Sequence, residues 1–418
     1  MDAAIAPHSV PNERVRRVYT VAAAAFLFLA PFPSSAGWRT FALLVALAAV
    51  AWLAWRGGEP LGFTRLPRPV AIAALAWIAW CLASTAWSDN RPYTMEELRR
   101  ELLYGIVAFA VFYAGMRTPG QAHVGIRALL AGALLLGALE WVRLLFPGVP
   151  LAWKYQAAQG YYSTHLVIAA PLLAIVAWPR PEGMGVGRSA LAALAVGLLA
   201  GGLATENRML WLALGVGTLV AFAAFRRVQA GAAPSHSTQP AFLFAIALIA
   251  LLVAASWEYK SARYYPQADG PMSSLSLDER PAIWSSAEGP LLERLWIGHG
   301  FGREIVAPAI ARGLAERGAV NRYDHAHNVF LDVALQLGLV GLASFVALLA
   351  ALALAFAQAA RVPGGAPLAI AGLAMLVAFV TKNLTDDFYH RPNSLVFWAV
   401  TGMLLGLATP PRGPAPPP

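Results

Sequence analysis

The sequence predicts an all-α polytopic integral membrane protein, and three observations carry that prediction. Of its 418 residues 58% are hydrophobic and only 13% are charged, with a mean hydropathy of +0.57. Soluble domains carry roughly 25% charged residues. Apolar stretches of bilayer length recur from one end of the chain to the other. The single cysteine, Cys81, lies inside one of them, which excludes an intramolecular disulfide framework and any cysteine-based zinc site. The balance of 31 Lys+Arg against 22 Asp+Glu gives +9. In a soluble chain that excess would suggest nucleic acid; here the apolar background assigns the bases to membrane topology, and no nucleic-acid partner is expected.

A helix needs roughly 20 apolar residues to cross a bilayer. That criterion predicts about twelve spans, at 17–31, 37–55, 69–86, 101–116, 124–146, 162–178, 189–204, 209–225, 240–256, 328–357, 366–382 and 394–409. Arg14, Arg16 and Arg17 ahead of the first span resemble the start of a signal peptide. No A-x-A cleavage site follows, and Pro31-Phe32-Pro33 leads straight into the next span, so a retained helix is expected. The first two spans are separated only by Pro31–Gly37, the seventh and eighth only by Thr205–Arg208. The organisation is thus nine spans over 1–256, a large loop over 257–326, three spans over 327–409 and a disordered Pro-rich tail over 410–418.

With the N-terminus in the cytoplasm, short internal loops hold 14 Lys+Arg and short external ones 9. The bias follows the positive-inside rule and puts both termini inside and the large loop outside. Internal connections are then short and basic, a pattern suited to anionic membrane lipids. The external ones mix charges, aromatics and histidines, so any chemistry faces outward.

Within the large loop, Asp278 to Trp296 sets Ile283, Trp284, Ala287, Leu291 and Leu295 at roughly helical spacing, with Pro281 suited to a first turn. Glu304 to Arg317 is a second weakly amphipathic stretch. Two short interfacial helices lying on the membrane account for the apolar faces. They do not account for Arg280, which sits among acids at the start of the first.

The next segment, His327-Asn328-Val329-Phe330-Leu331-Asp332, opens the longest predicted helix, which runs to about Ala360 and spans about 50 Å against a bilayer core of ~30 Å. Asp324 is the candidate N-cap, which places His327 in the first turn. At ~100° per residue Leu331, Gly338 and Gly341 then fall beneath His327 as a packing stripe. A helix N-terminus disfavours imidazolium, so His327 should be neutral and able to accept a proton, and the same terminus favours an anionic ligand. An interfacial histidine above a glycine-lined packing face satisfies the same residues, and the sequence alone leaves both readings standing.

Glu206-Asn207-Arg208 lies between two short spans, at a depth where ionisable groups are functional candidates, with an internal Glu206–Arg208 pair as the alternative. His165 follows Tyr161-Tyr162-Ser163-Thr164 and fits an aromatic belt as well as a site. Asp386, Asp387, His390 and Arg391 fit a solvated turn as well as a site. No HExxH, EF-hand or C-x-x-C spacing occurs, so neither a metal nor another cofactor is expected. P-loop, dinucleotide and nucleophile-elbow motifs are likewise missing.

Three pieces together resemble the O-antigen ligases, within the superfamily that also contains O-antigen polymerases and protein O-oligosaccharyltransferases. His327-Asn328, nine residues, then Gly338-Leu339-Val340-Gly341 fits the ligase pattern H-[NSQ]-x9-G-x-x-[GTY] in full. Arg208-x3-Leu212 fits an R-x3-L element in an earlier periplasmic loop. Arg280-Pro281-Ala282-Ile283-Trp284 with Gly298-His299-Gly300-Phe301-Gly302 is similar to the arginine–tryptophan and glycine run ahead of the histidine. The resemblance implies a GT-C-like inverting glycosyltransferase at the periplasmic face of the bacterial inner membrane. It would move O-antigen from undecaprenyl pyrophosphate to a lipid A–core hydroxyl without metal or nucleotide sugar. It gives His327 the catalytic role and makes Arg208 and Arg280 binders of the donor pyrophosphate. Asn328, His165, Asp386 and Asp387 are supporting candidates. The rivals of the same class change the acceptor. They meet the complete ligase pattern and the expectation that no large C-terminal domain follows Pro418. A transporter for an anionic lipid or sugar is the rival from another class, and it requires paired broken helices, of which the sequence gives no sign.

A cysteine placed at Ser274 in a Cys81→Ala background tests the sidedness. It should react with an impermeant maleimide in intact spheroplasts, and labelling only after lysis would reverse the topology.

Overall fold

The computed structural model describes residues 10–146, 158–177, 187–229, 238–264, 279–316, 325–362, 364–387 and 389–409. They form helices and connecting turns, with no strand among the described residues. The first half contains α1 (Val10–Leu29), α2 (Ala36–Trp55), α3 (Arg68–Ala83), α4 (Arg91–Glu97), α5 (Tyr104–Gly115), α6 (Pro119–Leu145), α7 (Ala158–Ala169), α8 (Leu173–Ala177), α9 (Arg188–Ala204) and α10 (Arg208–Gln229). Then come α11 (Thr238–Tyr264), α12 (Arg280–Glu293), α13 (Ala307–Glu316), α14 (Val329–Ala359), α15 (Ala366–Lys382) and α16 (Pro392–Ala408).

Over its described residues each of the twelve predicted apolar segments is largely helical. Six helical stretches among the described residues are long and apolar enough to cross a membrane: Ala36–Trp55, Arg68–Ala86, Pro119–Leu145, Arg208–Val228, Leu243–Ala262 and Val329–Ala359. Gly160–Val176, Ser189–Ala204, Ala366–Lys382 and Pro392–Ala408 are apolar but shorter. Local chemistry sets several starts. Thr118 and Gln121 form a capping box ahead of Pro119, and Asn90 accepts from Tyr93 N at 3.2 Å.

The helices pack α5 on α16, α10 on α15, α1 on α2 and α6, and α14 on α3. Missing side chains permit the closest crossings. A Cβ on Gly402 would lie 2.4 Å from the Phe109 carbonyl oxygen, and one on Gly132 would lie 2.2 Å from that of Phe28. Where lipid offers no hydrophobic drive, such backbone proximity is what holds helices together.

The structure corrects the predicted continuous helix after His327. Gly338 adopts φ 67°, ψ −173°, and α14 breaks there. The freed backbone groups are taken by the segment just past α12. The carbonyls of Leu335 and Gln336 accept from His299 N (3.0 Å) and Gly300 N (2.8 Å), while Leu339 N donates to the Leu295 carbonyl at 2.8 Å. Trp80 Nε1 donates to Leu337 O at 2.9 Å. Unpaired backbone groups at membrane depth cost several kcal/mol each, so a break survives there only when protein covers it. The glycine run supplies the cover. A Cβ on Gly298 would sit 2.4 Å from the Gln336 carbonyl, and one on Gly338 2.2 Å from the Trp296 carbonyl carbon. Two conspicuous glycine features of the sequence are therefore halves of one backbone junction.

The start of α14 also differs from expectation. Asp324 lies outside the described residues, and the cap is Asn328, whose Oδ1 accepts from Phe330 N (2.9 Å) and Leu331 N (3.1 Å). His327 precedes the helix at φ 52°, so the stripe drawn from helical angles does not hold. Capping wins because a short amide at the N-cap reaches two otherwise unpaired N–H groups. In the large loop, α11 continues past the predicted end at 256 to Tyr264. Helices α12 and α13 cover part of their apolar faces against each other, in a small core of Ile283, Ala287, Val306, Ile310 and Leu314 with Ala326 and Leu335.

Gly338→Ala should destabilise the protein by about 2 kcal/mol or more, since it adds a clash to a left-handed backbone. Gly289→Ala, inside α12 with nothing within 4 Å of its Cβ, should be neutral or gain up to ~1 kcal/mol. Melting temperatures in detergent compare the two; equal behaviour would discount the junction.

Candidate active site

One end of the bundle gathers most of the candidate residues. His327 is held in a turn between Ala326, whose N–H donates to Asp332 Oδ1 (2.8 Å), and Val329, whose N–H donates to the Asn383 carbonyl (3.0 Å). The turn therefore touches the end of α15. There Asp386 accepts from Lys382 Nζ at 2.6 Å and from an Arg280 terminal nitrogen at 3.2 Å. Arg280 Nε donates to the Thr385 carbonyl at 2.6 Å. His327 Nδ1 lies 4.0 Å from Asp386 Oδ1.

The charges explain the protonation states. Burial alone would push the Asp386 pKa up, but Lys382 and Arg280 outweigh it and hold the carboxyl below the usual carboxylate range. Burial, with the neighbouring His325, pulls His327 down from 6.5 to about 4 against the opposing pull of Asp386. The ring is neutral at pH 7, as expected, although burial and not a helix dipole is the main cause.

Arg208 opens α10, where Asn207 Oδ1 accepts from Leu210 N at 3.2 Å, and its guanidinium lies over the Trp257 ring of α11, 4.8 Å from the centroid. Arg208 and Arg280 meet at a cavity of about 270 Å³ that Lys260, Trp257, Trp284 and Thr385 also line. Trp284 Nε1 donates to the Ala326 carbonyl at 2.8 Å and so ties the cavity wall to the His327 turn. Two forked cations and an ammonium facing one cavity suit an anion with several oxygens.

The other candidates divide. Asp386 belongs to this group, and Asp387 flanks it through its backbone carbonyl, which accepts from Arg303 at 2.7 Å. Asn328 serves as a helix cap. His165 is buried in α7 near Ala30 and Arg39, with Nδ1 3.0 Å from the Tyr161 carbonyl, and no described contact joins it to His327. His325 also lies against this site. Its ring packs against that of His327 at a tilt of 37°, with centroids 4.0 Å apart, and neither residue is helical. Sequence reasoning missed Lys382 and Arg303. The i,i+4 spacing of Lys382 and Asp386 across a helix end was the available signal for the first.

Among the described residues, Glu97, Glu101 and His390 bring potential ligand atoms within 4.8 Å of one another. Arg391 contacts all three: its backbone N donates to both Glu101 oxygens (2.8 and 2.9 Å), its Nε to His390 Nε2 (2.7 Å) and a terminal nitrogen to Glu97 Oε1 (3.4 Å). The group is an ion-pair network.

Asp386→Asn should cost ~3–5 kcal/mol, because it leaves the buried Lys382 ammonium and Arg280 without their counter-charge. Adding Lys382→Met should restore part of the loss, and no recovery would discount the pair. The His327 shift also has a sign. Its folded pKa lies below its ordinary one, so the unfolded chain takes up a proton that the native ring refuses. Its contribution to stability is therefore present above pH 6.5 and is lost progressively as pH falls toward about 4. A His327→Gln variant should show a shallower acid slope of melting temperature against pH.

Residues 190–346 match the model of a family described as O-antigen ligase. The matched stretch contains Arg208, Arg280 and His327 together with Gly338 and Gly341. No curated protein matches the chain at a significant level. The match over residues 190–346 supports an assignment to the O-antigen ligase family.

Proposed function

We propose that the protein is an inverting, metal-independent glycosyltransferase that moves O-antigen polysaccharide en bloc from undecaprenyl pyrophosphate to a hydroxyl of lipid A–core. The observation that carries this reading is the shared cavity of Arg208 and Arg280 beside the His327 turn. The donor diphosphate would sit against the two guanidinium groups, and the acceptor hydroxyl would approach from the His327 side.

In the reaction the acceptor oxygen attacks the anomeric carbon as the carbon–oxygen bond to the diphosphate breaks, which inverts the centre. The bonding pair leaves on the diphosphate, and the hydroxyl proton passes to His327. The arginines act where charge accumulates, and arginine never deprotonates, so they can replace a metal in this role. A ring with a pKa of about 4 is by itself a weak base. Bound diphosphate would bring negative charge next to it and raise its proton affinity when the reaction needs it.

The reading places the site at the periplasmic face of the inner membrane, with twelve spans and both termini in the cytoplasm. It is supported by the separation of charges. The Arg208, Arg280, His327 and Asp386 group occupies one end of the bundle, and the contacts of Arg16 with Glu59 and of Arg117 with Pro60 mark another. Both substrates are lipid-anchored, so a site at the membrane edge suits them. The break at Gly338 gives the transporter alternative little support. Its freed groups at residues 335–339 are bonded to protein, which leaves them unsuited to coordinating a transported ion.

Purified protein mixed with an undecaprenyl-pyrophosphate glycan and lipid A–core should give a lipopolysaccharide ladder without nucleotide or metal. Failure in the presence of both substrates would contradict the reading. Arg208→Lys and Arg280→Lys should both remain damaging, since a point charge does not reproduce the fork, and near-normal ligation by both would reduce them to structural charges. His327→Ala and His327→Gln should each lower turnover by roughly 10²–10⁴. The acid limb of kcat/KM should lie well below pH 6.5, with that of kcat higher because the diphosphate is bound. A Gln variant with substantial activity and a flat profile would leave His327 as a hydrogen-bond partner of the acceptor.

A further inference from the structure

Far from the His327 turn, a second cavity gathers positive charge for which the proposed reaction has no use. Helix α16 follows the Asp386 turn and runs 17 residues, about 25 Å, toward Thr409. There Arg65, Arg117, Tyr113 and Thr409 line a cavity of about 130 Å³, against the ~10–15 Å³ that one water needs. The Arg65 side chain forms no ion pair or hydrogen bond among the described residues. Arg117 donates to the Ala114 and Pro60 carbonyls, which position it without neutralising it. Glu59, which attracts it, is already paired with Arg16 at 2.6 Å. Burial first and then Arg65 pull the Arg117 pKa below the ordinary guanidinium range, and an anion between the two arginines would offset both effects. The Tyr113 hydroxyl adds a donor: the residue is 5% exposed and its oxygen is buried without a hydrogen-bond partner. Two guanidinium forks and a phenol suit a phosphate group.

A neighbouring cavity says what the phosphate belongs to. Leu61, Gly62 and Arg65 face the cationic cavity, while Phe63 and Leu66 of the same turn line an apolar groove of about 420 Å³ between α3, α5, α14 and α16. Phe63 stacks on Tyr113, with ring centroids 5.7 Å apart and planes 8° from parallel, so the two spaces share a wall. The groove follows α3 from Val70 to Ile78, about 12 Å of helix rise, and its only charged lining residue is Glu101. Leu75 and Ile106 at its edge are exposed, as side chains covered by lipid would be.

We propose that Arg65 and Arg117 bind the phosphate of an anionic phospholipid whose acyl chain lies in the groove between α3, α5, α14 and α16. The site does not depend on the ligation chemistry. A soluble anion would use the arginines and leave the groove unexplained, and a neutral lipid would use the groove and leave the arginines unexplained. One molecule with a phosphate and a chain accounts for both. Its chain fills the space between α3 and the Leu348–Leu352 turn of α14, so bound lipid should raise the stability of the protein.

Native mass spectrometry of the full-length protein in detergent, with melting temperatures in parallel, tests the site without reference to ligation. The probes are phosphatidylglycerol, phosphatidylcholine, dioleoylglycerol and inorganic phosphate. Phosphatidylglycerol should bind about tenfold or more tightly than phosphatidylcholine, whose trimethylammonium would meet the arginines, and than dioleoylglycerol, which has no phosphate. It should also raise the melting temperature at concentrations where inorganic phosphate does not. Arg65→Gln removes no bond among the described residues, so its lipid-free melting temperature should match the wild type while phosphatidylglycerol binding falls by about tenfold. Ala74→Phe fills the groove, leaves both arginines in place and should weaken the same binding. Equal binding of the three lipids, or phosphatidylglycerol binding untouched by Arg65→Gln, would overturn the phosphate site. Inorganic phosphate as effective as the lipid, or binding indifferent to Ala74→Phe, would overturn the lipid as its occupant.

Discussion

A buried carboxylate sets the geometry of the whole site. Asp386 is 5% exposed and stays ionised only because Lys382 from its own helix and Arg280 from the start of α12 lie against it. Isolated in the protein interior, such a charge would cost several kcal/mol. Paired, it obliges three separate pieces of chain to converge: the end of α15, the helix of the large loop, and the turn that carries His327. The loop helix in turn presents Arg280 and Trp284 to a cavity whose opposite wall is Arg208 and Trp257. The charge that anchors the loop therefore also decides where the second arginine points.

The junction at Gly338 gives that arrangement a rigid base. A broken helix in an apolar setting would be unstable unless its carbonyls and N–H groups found partners, and the glycine run supplies them. His299 secures the run from outside, with Nδ1 2.6 Å from Asp89 and Nε2 2.8 Å from the Pro290 carbonyl. The same chain segment continues backward into α12, so backbone pairing at the break and ion pairing at Asp386 fix α12 from both of its ends. Preorganisation of this kind lets a site stabilise developing charge without moving when the charge appears.

The sequence exposed the helices more readily than their ends or interruptions. The length of the apolar runs pointed to the helical segments, six of which are long and apolar enough to cross a membrane among the described residues. It could not show that α14 breaks, since Gly338 inside an apolar run reads equally as a packing residue. The two-residue and glycine elements of the histidine motif were recognised as a pattern, and their physical content came only from the coordinates: Asn328 is a cap, Gly338 a left-handed junction, Gly341 a close contact with Leu337 and Trp80. Arg208 was legible as an ionisable group between two short apolar spans, Arg280 and His327 as parts of the recognised motifs, and Asp386 only as one candidate in its loop. Lys382 was not, because a lysine at a helix end ordinarily reads as a topological or dipole-compensating charge. Its burial depends on Asp386 turning back over it.

The central claim is that Arg208 and Arg280 form a diphosphate site beside His327. Binding of glycan-free undecaprenyl pyrophosphate to the purified protein in nanodiscs, set against undecaprenyl monophosphate, tests it most directly. The wild type should show a clear preference for the diphosphate, lost when both arginines are replaced by lysine. Equal affinity for the two lipids, or a preference that survives the double replacement, would contradict it.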